Sequence, residues 1–222
     1  MDPHDLSRHY PLLFHMAEAG SWDSISRHGL LSTHRLIDLF EVEGDARAAI
    51  LQARRPASVR LEHRLHGNAV VRDQIPLSEK RLTACLTDMT LVEWLDVLNS
   101  RVFFWLDEAH LGKLLGARAY KDEEHDVITI DCARLVARDA ERITLSPINS
   151  GATMYKPPPR GRDTFLPITS YPFEERRRVR GIGNAVVELA VDGGVSDIRD
   201  VAIRVERRRA GGDGELIWQR GA

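Results

Sequence analysis

The sequence predicts an α+β protein, on three observations. Helix-type periodicity fills the first hundred residues, while the clearest strand-like runs (RVFFWL, VITID, AVVELAV and the run from Val201) fall from Arg101 onward. No regular strand–helix–strand alternation links them, and there is no G-x-G-x-x-G turn, so a doubly wound dinucleotide fold is disfavoured. At 222 residues the chain is long enough to bury a real core, and we read residues 1–222 as one domain.

Each element has a local signature. Ser21 or Asp23 can cap a helix running to about His28, with Gly29 at its C′ position. Ser32–Leu39 and Asp45–Arg54 read as helices, the second closed by Pro56. Val59–Leu65 and Asn68–Ile75 pair around the turn at His66-Gly67-Asn68. Ser78–Leu86 and Thr90–Leu98 are helical, and Arg101–Leu106 is an apolar-aromatic strand followed by a helix over Asp107–Leu115. Val127–Asp131 is a strand, Asp131–Arg138 a helix and Ile143–Leu145 a short strand. The proline-rich Tyr155–Asp163 is an extended surface loop, and Phe173–Arg180 an arginine-rich helix. Ala185–Val191 and Val201–Arg208 are strands, and Glu215–Gln219 returns as a hairpin across Gly211–Gly214.

The bulk composition is that of an ordinary globular chain, with 43% apolar and 29% charged residues. A net charge of −2 gives no global field to draw in nucleic acid, which would need a local basic patch. The N-terminal segment lacks a basic and apolar leader, and no run is long enough to span a bilayer, so a cytoplasmic location without membrane contact is expected. Cys85 and Cys132 sit in apolar contexts and read as small buried hydrophobes rather than a disulfide. The acidic run Asp122–Asp126 has consecutive rather than facially spaced side chains, so it reads as a loop, and no metal site is expected. Neither a G-x-S-x-G elbow, a Walker loop nor an H-E-x-x-H pair occurs.

The candidate chemistry rests on a few side chains. Glu188 stands in AVVELAV, where a carboxylate is costly unless it is paired or faces a cleft. Alternation puts Val186, Glu188 and Ala190 on one face, which leaves a solvent-facing and a cleft-facing reading both open. His15, in PLLFHMAEAG, is either a satisfied packing histidine or an imidazole that binds a ligand hydroxyl. Arg101 opens the strand carrying Phe103, Phe104 and Trp105, as the charged end of core aromatics or as a phosphate partner beside a stacking ring. Asn149 suits a turn for backbone reasons alone. Arg160, Arg162 and the cluster Glu174–Arg180 form either a solvated face or a phosphate-binding strip.

With these residues laid out, the chain resembles the ADP-ribosyltransferase superfamily, most of all the DarT-type DNA-modifying toxins and related uncharacterised bacterial proteins. Four segments carry the resemblance, in order. They are His15 through Trp22 and Ile25 to Gly29-Leu30-Leu31-Ser32; Val102-Phe103-Phe104-Trp105; the Asn-containing Ile143–Ala152; and Glu188 in VVELAV followed by Gly194–Ile198. The arginine that the family places just after its aromatic strand has no match, since Asp107-Glu108 stand there; Arg101 is the substitute candidate.

The resemblance implies a split, mixed β-sheet core with a helical N-terminal half, and NAD as co-substrate in the cleft. His15 would bond a ribose hydroxyl, the Met16 backbone would bind the nicotinamide amide, and Ser32 and Arg101 would complete the NAD-binding set. Phe104 or Trp105 would stack on the nicotinamide ring. Glu188 would hold the 2′-hydroxyl of the nicotinamide ribose as the glycosidic bond breaks. Asn149, Tyr155, Arg160 and Arg162 would face the acceptor. The implied activity is mono-ADP-ribosylation of a macromolecule, with a DNA or RNA base ahead of a protein side chain, and an antitoxin as the partner of such a toxin. An NAD glycohydrolase toxin and a non-catalytic NAD- or nucleotide-binding module are the alternatives.

Overall fold

The computed structural model describes residues 1–221; Ala222, part of the expected domain span, lies outside them. The chain opens with α1 (Pro3–His9), capped by the Asp2 side chain, and enters β1 (Leu12–Glu18). Next come α2 (Trp22–His28), the two-residue β2 (Leu30–Leu31), α3 (Thr33–Leu39) and α4 (Gly44–Leu51). The hairpin β3 (Val59–His63) and β4 (Gly67–Val71) follows, then α5 (Glu79–Cys85) and α6 (Leu91–Asn99). A capping box between Thr90 and Glu93 fixes the start of α6. From Arg101 the chain runs β5 (Arg101–Trp105), α7 (Glu108–Leu115), β6 (His125–Asp131), α8 (Cys132–Asp139), β7 (Ile143–Ser146) and β8 (Leu166–Pro167). It ends with α9 (Phe173–Arg180), β9 (Glu188–Asp192), β10 (Gly194–Val195), α10 (Ile198–Val201), β11 (Ala202–Arg208) and β12 (Glu215–Gln219).

The architecture is α+β. Eight strands form one sheet in the order β12-β11-β6-β1-β5-β9-β7-β8, with β2–β10 and β3–β4 as separate two-stranded pairs. Every pairing in the large sheet is antiparallel, so the expected mixed sheet is corrected: no βαβ crossover lays two of its strands side by side in parallel. The first half is indeed rich in helices, but it also supplies a central strand, β1. Sequence periodicity missed β1 because helices cover both faces of the sheet there, and a doubly covered strand shows a run rather than an alternation.

Two boundaries matter for function. β6 begins at His125, so His125 and Asp126, expected in an acidic loop, are fully buried strand residues. β9 begins at Glu188, which therefore sits at the strand's first position and not in its middle.

The main core lies on one face of the sheet, where Leu13, Phe104, Ile128, Ile130, Leu145 and Leu189 pack under α1, α8, α9 and α10. The other face is covered in two pieces. Leu82, Trp94 and Leu95 of α5 and α6 lie over Phe103 and Ala190, and Leu111 and Leu115 of α7 lie over Phe14, Met16 and Val127. Between these pieces the sheet nearly comes apart, because β1 and β5 share one registered pair, Phe14 opposite Trp105. Cys85 and Cys132 are free thiols, Cys132 buried. No helix among the described residues is long and apolar enough to cross a membrane.

The Gly29-Leu30-Leu31 segment is built for close backbone contact. Gly29 adopts φ 90° and ψ 167°, a region essentially reserved for glycine. A Cβ there would stand 2.5 Å from the Ser196 carbonyl oxygen and 2.7 Å from that of Val195. Gly194, at φ 102°, gives the same clearance to the Leu30 carbonyl, so the two glycines together allow β2 to pair with β10. Gly29→Ala should therefore destabilise the fold by about 2–3 kcal/mol, lowering the melting temperature by roughly 5–10 °C. A calorimetric melt within a degree or two of wild type would show that the segment relaxes freely.

Candidate active site

The opening between β1 and β5 leads into a cavity of about 320 Å³, toward the lower end of small-molecule pockets. His15 and Met16 of β1, Arg101 and Trp105 of β5, Asn149 and Ser150 of the turn after β7, and Glu188 of β9 all line it. Four segments far apart in sequence, each singled out by its residues, thus meet at one place.

Glu188 is held there by its neighbours. It lies opposite Trp105 on one side and Ser146 on the other, so all three share a face of the sheet. The approach to β9 is anchored by two buried tyrosines, whose hydroxyls donate to the main chain: Tyr10 to Ile182 and Tyr171 to Ala185, both at 2.6 Å. Glu188 as a whole is 4% exposed, which decides for the cleft-facing reading and against solvent. Burial pushes its pKa up to about 7, opposed by hydrogen bonding from the Ser150 side chain and from its N–H, which donates to Oε2 at 3.0 Å, and by the Arg160 charge.

His15 spans the gap. Beyond Phe14 the two strands splay, and the imidazole Nδ1 lies 2.9 Å from the Phe103 carbonyl oxygen. A carbonyl only accepts, so Nδ1 carries the proton and Nε2 of the neutral ring is an acceptor. Desolvation pushes the pKa down to about 4, with the Phe103 bond opposing it, so the ring is neutral at physiological pH. Met16 pairs with Val127 of β6, while its main chain on the other side has no registered partner on β5.

Other expected site residues divide. Trp105 is partly exposed, shares the face of Glu188, and stacks on His110 with ring centroids 6.0 Å apart and planes 15° from parallel. Phe104 borders the cavity, but its ring is 1% exposed and packed into the main core, so it is corrected to a core residue. Strand alternation explains this, since Phe104 pairs with Leu189 on the opposite face. Arg101 lines the cavity while Nη1 donates to the Val97 carbonyl at 2.8 Å and to the Ser100 hydroxyl at 3.0 Å. Ser32 is corrected from NAD contact to helix cap: it is buried and its hydroxyl accepts from Arg35 N–H.

The proline loop also changes. Tyr155 is 92% exposed at its tip, and Arg162 lies on the surface beside Glu93. Arg160, expected to face an acceptor, is 2% exposed and turned inward, where its guanidinium donates to the Ser150 and Ala152 carbonyls.

Sequence reasoning missed a polar wall of the same cavity. Arg72 and Asp73 follow β4, and the Tyr120 hydroxyl donates to Asp73 at 2.6 Å. The Arg72 guanidinium lies 5.3 Å over the Tyr120 ring and donates to His125 Nδ1, while His125 Nε2 donates to the Tyr120 carbonyl. Arg55, deeper in, donates to Asn99 and to the Ile50 and Arg72 carbonyls. The one available signal was a charged pair directly after an alternating strand. Asp126 is a structural anchor, accepting from Gly20 N, Trp22 N and the Arg207 guanidinium.

The chain belongs to a family of unknown function, DUF7002, whose model matches residues 11–202. No curated protein and no solved structure matches it. The matched span includes every cavity residue named above.

The raised pKa of Glu188 has a consequence for stability. The folded chain holds that proton to higher pH than the unfolded chain, so the contribution of Glu188 to stability falls as pH rises from about 4.5 to about 7 and then levels off, while His15, kept neutral in the fold, contributes the opposite slope between about 4 and 6.5. Glu188→Gln removes the first of these. The variant should melt several degrees above wild type at pH 8 and close to it near pH 4.5, as scanning calorimetry across that range would read. A variant less stable at both pH values would show the carboxylate to be a structural anchor.

Proposed function

We propose that the protein is an NAD-dependent mono-ADP-ribosyltransferase. The observation that carries this reading is one cavity lined by a buried glutamate, a partly exposed tryptophan beside it and a neutral histidine across a strand opening. These are the three groups that the family resemblance assigns to the sugar, the nicotinamide ring and a ribose hydroxyl.

The chemistry follows from the side chains. Neutral His15, an acceptor at Nε2, accepts a hydrogen bond from a ribose hydroxyl, and Trp105 offers its face to the nicotinamide. The ionised Glu188 accepts from the 2′-hydroxyl and stabilises positive charge developing at C1′ as the bond to nicotinamide nitrogen breaks. The acceptor's nucleophilic atom forms the new bond at C1′, and its proton passes to a carboxylate whose pKa near 7 suits a base at neutral pH. Arg72 and Arg101 place positive charge along the cavity wall, where a pyrophosphate needs it.

We read the acceptor as a nucleic-acid base. Tyr155, almost wholly exposed at the tip of the loop leaving the Asn149–Ala152 turn, offers a ring for base stacking beside Lys156. Water as acceptor, the glycohydrolase reaction, would leave free ADP-ribose instead.

Incubation with nicotinamide-labelled NAD should release nicotinamide, and the rate should rise with pH through about 7 as Glu188 ionises. Glu188→Gln should lower the rate by about 10²–10³. Mass spectrometry of DNA, RNA and protein then locates the ADP-ribose. No release from any pairing of NAD with these acceptors would end the proposal. A variant at position 188 as active as wild type would do the same.

A further inference from the structure

We propose that Arg160 is a positioning residue for Glu188, acting through the turn at Asn149–Gly151. The inference rests on the reading of Glu188 as the reacting carboxylate, but the contacts behind it do not.

Arg160 is among the largest fully buried side chains of the protein, although it leaves the proline loop. Its own main chain is fixed to the C-terminal end of α5 and the residues that follow: its N–H donates to the Cys85 carbonyl at 2.9 Å, and its carbonyl accepts from Thr87 N at 3.1 Å. The guanidinium lies 5.8 Å over the Trp94 ring of α6. From this platform Nη1 donates to the Ser150 carbonyl at 2.7 Å, Nη2 to the Ala152 carbonyl at 3.3 Å and Nε to the Pro158 carbonyl at 3.4 Å. Ser150 itself is 1% exposed, and its N–H is the group that donates to Glu188.

Ser150 is therefore gripped on both sides: its carbonyl by the arginine, its N–H by the carboxylate. The chain is tied on either side of the turn, by Ile148 N–H to the Ser146 hydroxyl and by Thr153 N–H to the Pro76 carbonyl, while Ser150 itself is held by Arg160 and Glu188. The planar fork reaches both carbonyls from a fixed geometry, which a compact ammonium on a flexible stem does not reproduce. The guanidinium also brings a full positive charge near Glu188 without an ion pair at contact distance, which favours the ionised carboxylate. Asn149 and Gly151 line the cavity, so the same grip sets the wall that an incoming acceptor passes.

The test reads Glu188 directly. Its carboxyl is titrated in the unliganded chain by carbon-13 NMR of labelled glutamate, with Glu188→Gln assigning the signal. Nicotinamide release is followed against pH for wild type, Arg160→Lys and Arg160→Met. In Arg160→Met the titration midpoint should rise by about one pH unit and the pH–rate profile should move with it. Its kcat at pH 7 should fall about tenfold or more, with KM for NAD little changed. Arg160→Lys, which keeps the charge but not the fork, should show a smaller shift in the same direction. In wild type the Ser150 amide proton should titrate with the Glu188 midpoint and be protected from exchange, an observation that needs no variant to fold. An unchanged midpoint in every variant that folds, or a Ser150 amide that neither titrates nor is protected, overturns the proposal. Wild-type protein that shows the linked titration but releases no nicotinamide would sink the functional reading and leave the positioning role standing.

Discussion

The site depends on a sheet that is continuous through a single pair of residues, Phe14 and Trp105. Parting two neighbouring strands leaves main-chain N–H and C=O groups without ladder partners, and buried backbone groups are rarely left that way. Here the His15 imidazole takes the Phe103 carbonyl, and the residues on either lip of the opening line the cavity. The gap is kept open from both flanks. α7 packs over Phe14 and Met16 of β1 and Trp105 of β5, and α5 with α6 over Phe103 of β5, so closing the ladder would disturb buried faces on both strands. A ligand entering between them meets main chain on one lip, an aromatic ring on the other and a carboxylate at the end of β9.

The same burial moves the two titratable groups of the opening in opposite directions, each toward its neutral form. The imidazole is pushed down to about 4 and the carboxyl up to about 7. Near neutral pH the histidine is then a fixed acceptor, unable to repel a cation or attract a phosphate. The glutamate is poised between its two states. The arginines keep the positive charge, Arg72 and Arg101 on the cavity wall and Arg160 behind the turn. His125 and Asp126, also fully buried, are satisfied by Arg72, Tyr120 and Arg207 and hold the wall itself. Titratable groups in the region thus fall into those whose bonds are all used within the protein and those with atoms left for a ligand.

Much of this was legible in the sequence. Glu188, His15, Trp105 and Asn149 each stood out for a local reason, and all line the cavity. Helix starts with side-chain caps, such as Thr90 with Glu93, were readable because capping is a matter of residues three apart. What failed was non-local. β1 did not look like a strand, since the evidence for it lies in the helices that cover it. Phe104 and Trp105 could not be told apart without knowing which face met the core. Arg160 lay in a segment whose prolines and glycines spoke of surface, and only contacts with Trp94, Ser150 and Ala152 show why it turns inward. Arg72 and Tyr120 are separated by 48 positions in the sequence and meet only because β4 and the chain before β6 converge on the same wall.

The departure from the resembling family's pattern has a physical explanation. The position after the aromatic strand, where that family carries an arginine, is here Asp107, whose side chain accepts from Ala109 N at 2.6 Å and caps α7. An arginine there would forfeit the cap, worth about 1 kcal/mol, and would place positive charge at a helix N-terminus, where the dipole disfavours it. Since α7 covers the β1 side of the opening, weakening its start would loosen the lip that carries Met16. Positive charge is instead supplied by Arg101 at the far end of the same strand and by Arg72 across the cavity. Both of these guanidiniums are braced, Arg101 by Val97 and Ser100 and Arg72 by the Tyr120 ring and His125. The dinucleotide site we propose needs cations at the right distance from its carboxylate rather than at a particular place in the chain, and that requirement can be met from either wall.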